Sequence, residues 1–264
     1  MVPPLHHTLL AGRRRTGITL QTLHPHHFDH GQILAQTPHL QTAEKKGKGK
    51  GEVEVERGID IPNPDSCTVK QLEDFLAPIG AAMLVQGIED HVFVPPFDRG
   101  INENGETQGG GAPVLLAPKL KTEDKHVQWG SWTAQDILRR QRVLGPLWSM
   151  ANVTAAATDG QGDARKSLRI ILHELREVSV SVSLSSPSLV RLPDKPGTPF
   201  VWSSETSTAA ARLLVLTCDG KVLEIPYLTV EGESKMDAIQ AAKKAHLLAG
   251  SQGAQTVCAT RSWR

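Results

Sequence analysis

The stretch RLLVLTCDGKVLEIPYLTV, residues 212–230, constrains the fold more than any other part of the chain. Two apolar, β-prone runs flank Asp219-Gly220, a pair suited to the positive φ angles of a tight hairpin turn. An antiparallel pair therefore forms here, and LRIILHEL (168–175) is a further strand of the same region. Ser-, Pro- and Gly-rich segments separate these runs. After them SKMDAIQAAKKAHLL (234–248) has helical spacing, with Ser234 and Asp237 placed to cap it. Several short strands and one closing helix predict a small OB-like β-barrel at this end of the chain.

The first half is patterned differently. GITLQTL (17–23) and QILAQT (32–37) are short β-prone runs, and Ile18 and Leu20 alternate with Thr19 and Gln21 as in a half-buried strand. Residues 41–58, QTAEKKGKGKGEVEVERG, alternate Lys with Gly and then Glu with Val. With no apolar face to bury, they read as a disordered insertion. Next, Thr68 with Gln71 fits a capping box. Val69, Leu72, Leu76, Ile79, Met83 and Ile88 recur at helical spacing, which predicts one buried face and a helix that Pro78 kinks or splits. PPFDRGINENGETQGGGAP (95–113) reads as a linker. A second helix is predicted over 133–144, with Ile137 and Leu138 inward and Arg139, Arg140 and Arg142 largely outward, and 151–166 is loop-like.

The 264 residues have room for one large domain or two ordinary ones. A formal net charge of +1 gives no bulk preference for nucleic acid or membrane, so any basic surface has to be local. Cys67, Cys218 and Cys258 are odd in number and far apart, which suits a reducing compartment rather than a disulfide framework. No run approaches the ~18 apolar residues of a membrane-spanning helix. The start, MVPPLHHTLLAGRRRTG, has the basic character of an organelle transit peptide but lacks its serines, and reads instead as the interior of a domain.

The octet HPHHFDHG (24–31) holds His24, His26, His27, Asp29 and His30. These have donors for a metal, but no cysteine pairs with them and no second cluster follows; His6 and His7 lie on a different element. The expectation is a polar solvated loop with no metal. Taken bare, Asp29 before His30-Gly31 is a turn residue.

Set in its flanks, the octet takes on another meaning. Pro4-Leu5, Gly12, Thr16-Gly17-Ile18-Thr19, Asp29-His30-Gly31 and Ile33-Leu34 fall in the order seen near the end of the catalytic domain of methionyl-tRNA formyltransferases, which this stretch resembles. APKLKTEDKHVQWGSWTAQDILRRQRVLGPLW (117–148) is similar to that family's Lys-rich segment and the helix entering its C-terminal domain. CDGKVLEIPYLTVEGESKMDAIQAAKKAH resembles the last hairpin and helix of that domain. FDHGQILAQTP and VFVPP look most like fungal mitochondrial members. The Thr-Gly and Asp-x-Gly pieces are shared by all folate-dependent formyltransferases, whereas the C-terminal half singles out the tRNA enzyme.

The resemblance implies an α/β fold: the C-terminal remnant of a Rossmann-like formyltransferase domain over 1–95, with 41–58 an insertion. A linker at 96–116, an OB-like tRNA-contacting domain at 117–250 and a tail at 251–264 follow. It implies transfer of a formyl group from 10-formyl-tetrahydrofolate, a co-substrate, to the amino group of methionine on initiator tRNA. The setting implied is the mitochondrial matrix, with a monomeric protein, no metal and no membrane. Asp29 is the implied catalytic residue. Its family partners, an Asn-x-His pair, do not occur in these 264 residues, so the chain is expected to be truncated and inactive alone. Transfer RNA calls for Lys and Arg contacts to phosphate; the candidates are Lys119, Lys121 and Lys125, and Arg139, Arg140 and Arg142 on the predicted helix. Lys243 and Lys244, and the run Lys45–Lys50, are weaker candidates. Two other readings stay open: a non-catalytic RNA-binding remnant, and a different folate-dependent formyltransferase or hydrolase.

Overall fold

The structure, a computed structural model, describes residues 4–26, 31–37, 58–95, 117–154, 165–178, 193, 195–202, 211–245, 247, 256–258 and 263. It is a mixed α/β chain whose compact units divide between Lys119 and Leu120.

In the first unit, α1 (Pro4–Leu10) opens with proline at a position where its missing N–H costs nothing, and it buries Leu9. β1 (Arg15–Thr16) pairs antiparallel with β4 (Ile59–Asp60), tied by Arg15 Nε to Asp60 Oδ1 at 2.7 Å. β2 (Thr19–Gln21) and β3 (Ile33–Gln36) form an antiparallel hairpin with a register shift between Leu20 and Gln21. Ile18 and Leu20 are half-buried and Thr19 is exposed, as their alternation predicts.

α2 (Val69–Glu89) starts at the predicted capping box: Thr68 Oγ1 accepts from Gln71 N, and Gln71 Oε1 accepts from Thr68 N. Glycines seat it on the hairpin. A Cβ at Gly87 would lie 2.8 Å from Leu20 Cδ2, and one at Gly80 would lie 3.8 Å from Ile18 Cγ2. The predicted buried face is correct for Leu72 and Leu76 but not for Ile88, which is 55% exposed. Gly80 and Gly87 take the inward stripe instead, one turn-phase away from Ile88. Ala77, Ala81, Leu84 and Ile88 recur at helical spacing as a second apolar seam, exposed among the described residues. Pro78 does not split the helix: it sits on the exposed side, where water can satisfy the carbonyl that loses its donor.

The second unit begins with a 3₁₀ turn (Thr122–Lys125) and α3 (Ala134–Leu144), capped by Thr133. β5 (Leu147–Thr154) and β6 (Arg165–His173) are long antiparallel partners. Residues 151–154 and 165–166 are therefore strand rather than loop, because the β5–β6 ladder is made by backbone groups and runs out to Thr154 and Arg165. β7 (Arg176–Val178), β8 (Pro199–Trp202), β9 (Arg212–Leu216), β10 (Val222–Glu224), β11 (Tyr227–Val230), β12 (Met236–Asp237) and β13 (Thr256–Cys258) complete the strands.

The neighbour orders are β13-β8-β9-β10-β7 and β12-β11-β6-β5. The two sheets share a single register. Val222–Glu224 lie opposite Val178–Arg176, and Tyr227–Val230 opposite His173–Ile170, with no residue gained or lost between. One long antiparallel ladder thus bends where Pro226 lacks an N–H and Glu174 adopts φ +57°. The Asp219-Gly220 hairpin forms as expected: Thr217 N donates to Lys221 O, and Gly220 takes φ +76°.

The core gathers Trp129, Ile137, Leu147, Ile170, Leu172, Leu213, Val215, Leu223 and Leu228 between the sheets and helices. Leu214 packs on the other face with Phe200 and Val222, which is why β9 reads as an unbroken apolar run. The closing helix, α4 (Ala238–Lys244), is shorter than predicted and starts at Asp237, which accepts from Ile239 N and Gln240 N. Ser234 is not its cap, because Met236 and Asp237 are extended and pair with β11. The predicted insertion lies almost wholly outside the described residues, as do the linker and most of the tail.

Candidate functional site

The loop that carries Asp29 is anchored in the β2–β3 hairpin. Thr22 N donates to Gln32 O at 2.9 Å, and Gln32 N donates to Thr22 Oγ1 at 2.8 Å, closing the loop at its base. Gly31 lies so close to the Thr22 carbonyl that any Cβ there would overlap it. The glycine of Asp-His-Gly is thus a requirement of the backbone crossing, independent of chemistry. Gly17 has a parallel role where the chain passes from β1 to β2. Thr37 Oγ1 accepts from Ile18 N at 3.3 Å, and a Cβ on Gly17 would lie 3.0 Å from that oxygen.

Asp29 itself, with His27 and His30, lies outside the described residues. His24 and His26 are exposed; His24 Nδ1 accepts from His26 N at 3.2 Å, which holds the rings 6.2 Å apart, edge to face. Among the described residues no three His, Cys, Asp or Glu side chains are grouped to hold a metal. His7 Nε2 donates to Pro118 O at 2.8 Å, and the His6 imidazole is held below its ordinary range by burial and then by His7.

Of the basic residues, Lys119 and Lys121 are exposed and Lys125 is half-buried. Lys121 N donates to Asp124 Oδ2 at 2.7 Å, which fixes the 3₁₀ turn and sets Lys121 and Lys125 at its two ends. The α3 arginines are not the outward fringe that the pattern predicts. Arg139 pairs with Asp136 at 3.2 Å, and Arg140 lies over the Trp132 ring, 4.0 Å from its centroid. Burial lowers the Arg140 guanidinium, opposed by Asp136 and Asp124 and aided by Arg139. Arg142 is half-buried in the last turn. The Arg140 stem packs because it covers the Trp132 ring while presenting its charge.

Sequence reasoning overlooked a cluster beside the 3₁₀ turn. His126 stacks on Trp148 with centroids 4.2 Å apart and planes 17° from parallel. Arg169 Cζ lies 4.4 Å from the Trp148 centroid, and Trp148 Nε1 donates to Thr122 O at 2.8 Å. The signal is the cross-strand register: Met150 lies opposite Arg169 and Trp148 opposite Ile171, so Trp148 and Arg169 are diagonal neighbours on one sheet face.

The chain is 32% identical over 175 residues to the mitochondrial methionyl-tRNA formyltransferase of Saccharomyces cerevisiae, covering 66% of this chain and 40% of that protein. The chain resembles part of a mitochondrial methionyl-tRNA formyltransferase. The human protein of that name is 26% identical over 186 residues, 70% of this chain and 37% of the relative. The mouse protein is 28% identical over 144 residues, 54% of this chain and 30% of the relative. The chain therefore spans well under half the length of the mitochondrial formyltransferases it matches. No family model matches it. Among solved structures, HypX from Aquifex aeolicus superposes with a TM-score of 0.41 at 14% identity, over 91% of this chain and 33% of that one.

Proposed function

We propose that the chain is the C-terminal portion of a mitochondrial methionyl-tRNA formyltransferase, an enzyme that moves formyl from 10-formyl-tetrahydrofolate to the α-amino group of methionyl initiator tRNA. The observation that carries this reading is the 32% identity over 175 residues with the yeast protein. The split near residue 119 is consistent with an α/β remnant over 1–95 and a tRNA-contacting domain over 117–250. The bent ladder shared by the two sheets of the second unit supports an OB-like curl for that domain.

In this reaction the amine attacks the formyl carbon, and the tetrahedral oxyanion needs donors placed where charge develops. The amine must also give up a proton to a group within reach. We assign Asp29 to proton movement, in concert with an Asn and a His outside these 264 residues. The described residues beside the hairpin, Thr22, His24, His26 and Gln32, do not by themselves make a site for a pterin and its glutamate tail. The exposed α2 seam of Ala77, Ala81, Leu84 and Ile88 fits a helix that an α/β layer covers on its second side. Lys119, Lys121 and Lys125 are the proposed phosphate contacts, with Arg139, Arg140 and Arg142 contributing what charge their packing leaves exposed.

A chimera tests the assignment: the aligned part of the yeast protein is replaced by this chain, and formylation of methionyl-tRNA is measured. The chimera is expected to be active, the 264-residue chain alone inactive, and Asp29→Ala in the chimera inactive. A folded, tRNA-binding chimera with no formylation would favour a non-catalytic RNA-binding role. Formylation by the chain alone would overturn the assignment of Asp29 to a partnered site.

A further inference from the structure

Arg169 and His126 both lie against the Trp148 ring, a half-buried ladder of three side chains in the second unit, built from two strands and the end of a 3₁₀ turn. Arg169 covers the Trp148 ring at 4.4 Å, His126 stacks on it at 4.2 Å, and the Thr122 carbonyl holds the indole N–H. His126 also enters a parallel bridge with Trp148, and Val127 N donates to Trp148 O at 2.9 Å, so the imidazole is carried on fixed backbone. Rings placed this firmly present a flat aromatic edge at little entropic cost.

Charge around the stack is balanced. Lys121, Lys125 and Arg169 stand against Glu123, Asp124 and Glu231. Asp124 is bonded to Lys121 N, and Glu231 Oε2 accepts from Arg169 N at 3.2 Å. A polyanion would gain little here from net charge. What the cluster offers is stacking, with two lysines at the ends of the turn for a phosphate on each side.

We propose that this ladder docks an unpaired nucleobase, which extends the stack at its His126 end while Lys121 and Lys125 meet the flanking phosphates. The proposal rests on the reading above that RNA is the partner of this unit, and it names the part of the unit that touches a base. Base-on-aromatic stacking tolerates sequence but requires an unstacked base, so the partner is a single-stranded segment such as an end or loop of a folded RNA.

The full 264-residue chain is titrated by fluorescence polarisation with a labelled oligoadenylate, a duplex RNA of equal length and heparin. The single strand is expected to bind more tightly than the duplex, with a shallow salt dependence. His126→Ala is expected to weaken single-strand binding about tenfold without changing the salt slope, and His126→Tyr to restore it by replacing the ring. Lys70→Ala, a one-charge change in the first unit, stays within twofold. Single-strand binding by wild type that neither His126 variant alters would overturn the ladder proposal and leave the RNA-partner reading standing. Absence of any RNA binding would overturn both. Equal binding of heparin, duplex and single strand with a neutral His126→Ala would mean a non-specific polyanion surface, and would also overturn the proposal.

Discussion

Gly197→Ala separates two costs that are usually confounded. Gly197 has φ +75°, and a Cβ there would lie 2.7 Å from Trp129 Cγ and 2.8 Å from Trp129 Cβ. Trp129 cannot yield: it is 3% exposed, its Nε1 donates to buried Ser149 Oγ at 3.0 Å, and the clashing atoms are at the root of the side chain. Gly197 is also held by Trp263, whose N–H donates to its carbonyl at 2.8 Å. The positive φ costs an alanine about 1–2 kcal/mol, and forced overpacking a further 1–3 kcal/mol or so. Gly220 supplies the control, because its φ is +76° but nothing lies within 4 Å of its Cβ position. The stabilising loss of unfolded-state freedom is common to both substitutions and cancels between them. All five tryptophans, Trp129, Trp132, Trp148, Trp202 and Trp263, fall in the second unit, so tryptophan fluorescence in urea reports that unit alone. With a slope of about 2 kcal/mol per M, Gly220→Ala should lower the midpoint by roughly 0.5–1 M and Gly197→Ala by roughly 1–2.5 M. Equal shifts for the two would show that Trp129 does not press on Gly197, and the packing argument would fail.

Gly31→Ala should destabilise the first unit by roughly 2–3 kcal/mol through the clash with the Thr22 carbonyl, and in the active chimera it should also abolish formylation; an active, stable variant would refute the crossing. Thr133→Ala, which removes the α3 cap on Asp136 N, should cost about 1 kcal/mol in the same fluorescence assay, and no change would mean that Asp219, bonded to Ala134 N, caps α3 unaided. Burial raises the Asp219 carboxyl, but donors at Thr217 Oγ1 and Ala134 N outweigh it and hold it below the ordinary range. Its folded value is depressed, so its stabilisation is complete above the unfolded carboxylate value of about 3.9 and is lost as pH falls through the lower folded value. Asp219→Asn should therefore flatten that acid limb, and an unchanged slope would sink the assignment. Leu72→Ala should cost about 2–4 kcal/mol by far-UV circular dichroism, while Ile88→Ala stays within about 0.5 kcal/mol, the reverse of what one continuous buried face would give.

The elements with strong local signals were legible. The Thr68–Gln71 box, the Asp219-Gly220 turn and the Ile18/Leu20 alternation each depend on neighbours within four residues, and each forms. Errors arose where a tertiary partner decides. Sixteen residues separate Ile88 from Leu72, about 160° around an α-helix, so Ile88 falls off the buried stripe, while Gly80 and Gly87 stay near it and make the close approach to Ile18 and Leu20. Glycine adds nothing to an apolar pattern, yet here it marks the contact face. The closing helix starts later than its spacing predicts for a similar reason: Met236 and Asp237 are claimed by pairing with β11.

The candidate site divides along the same line. The Asp-His-Gly motif was legible as a motif, and the hairpin supplies a backbone reason for its glycine, whereas the role proposed for Asp29 rests on the resemblance. The basic surface was legible as composition only. Six Lys and Arg residues looked equivalent in one dimension, whereas Arg139 and Arg140 are drawn into α3 packing and Lys121 and Lys125 bracket a turn that seats Trp148. Arg169 carried no signal on its own strand. It becomes a candidate once β5 and β6 are set in register, because that register alone puts a guanidinium diagonal to Trp148, whose ring also stacks on His126. A guanidinium set against an indole is a property of pairing, and a single strand of sequence does not contain it.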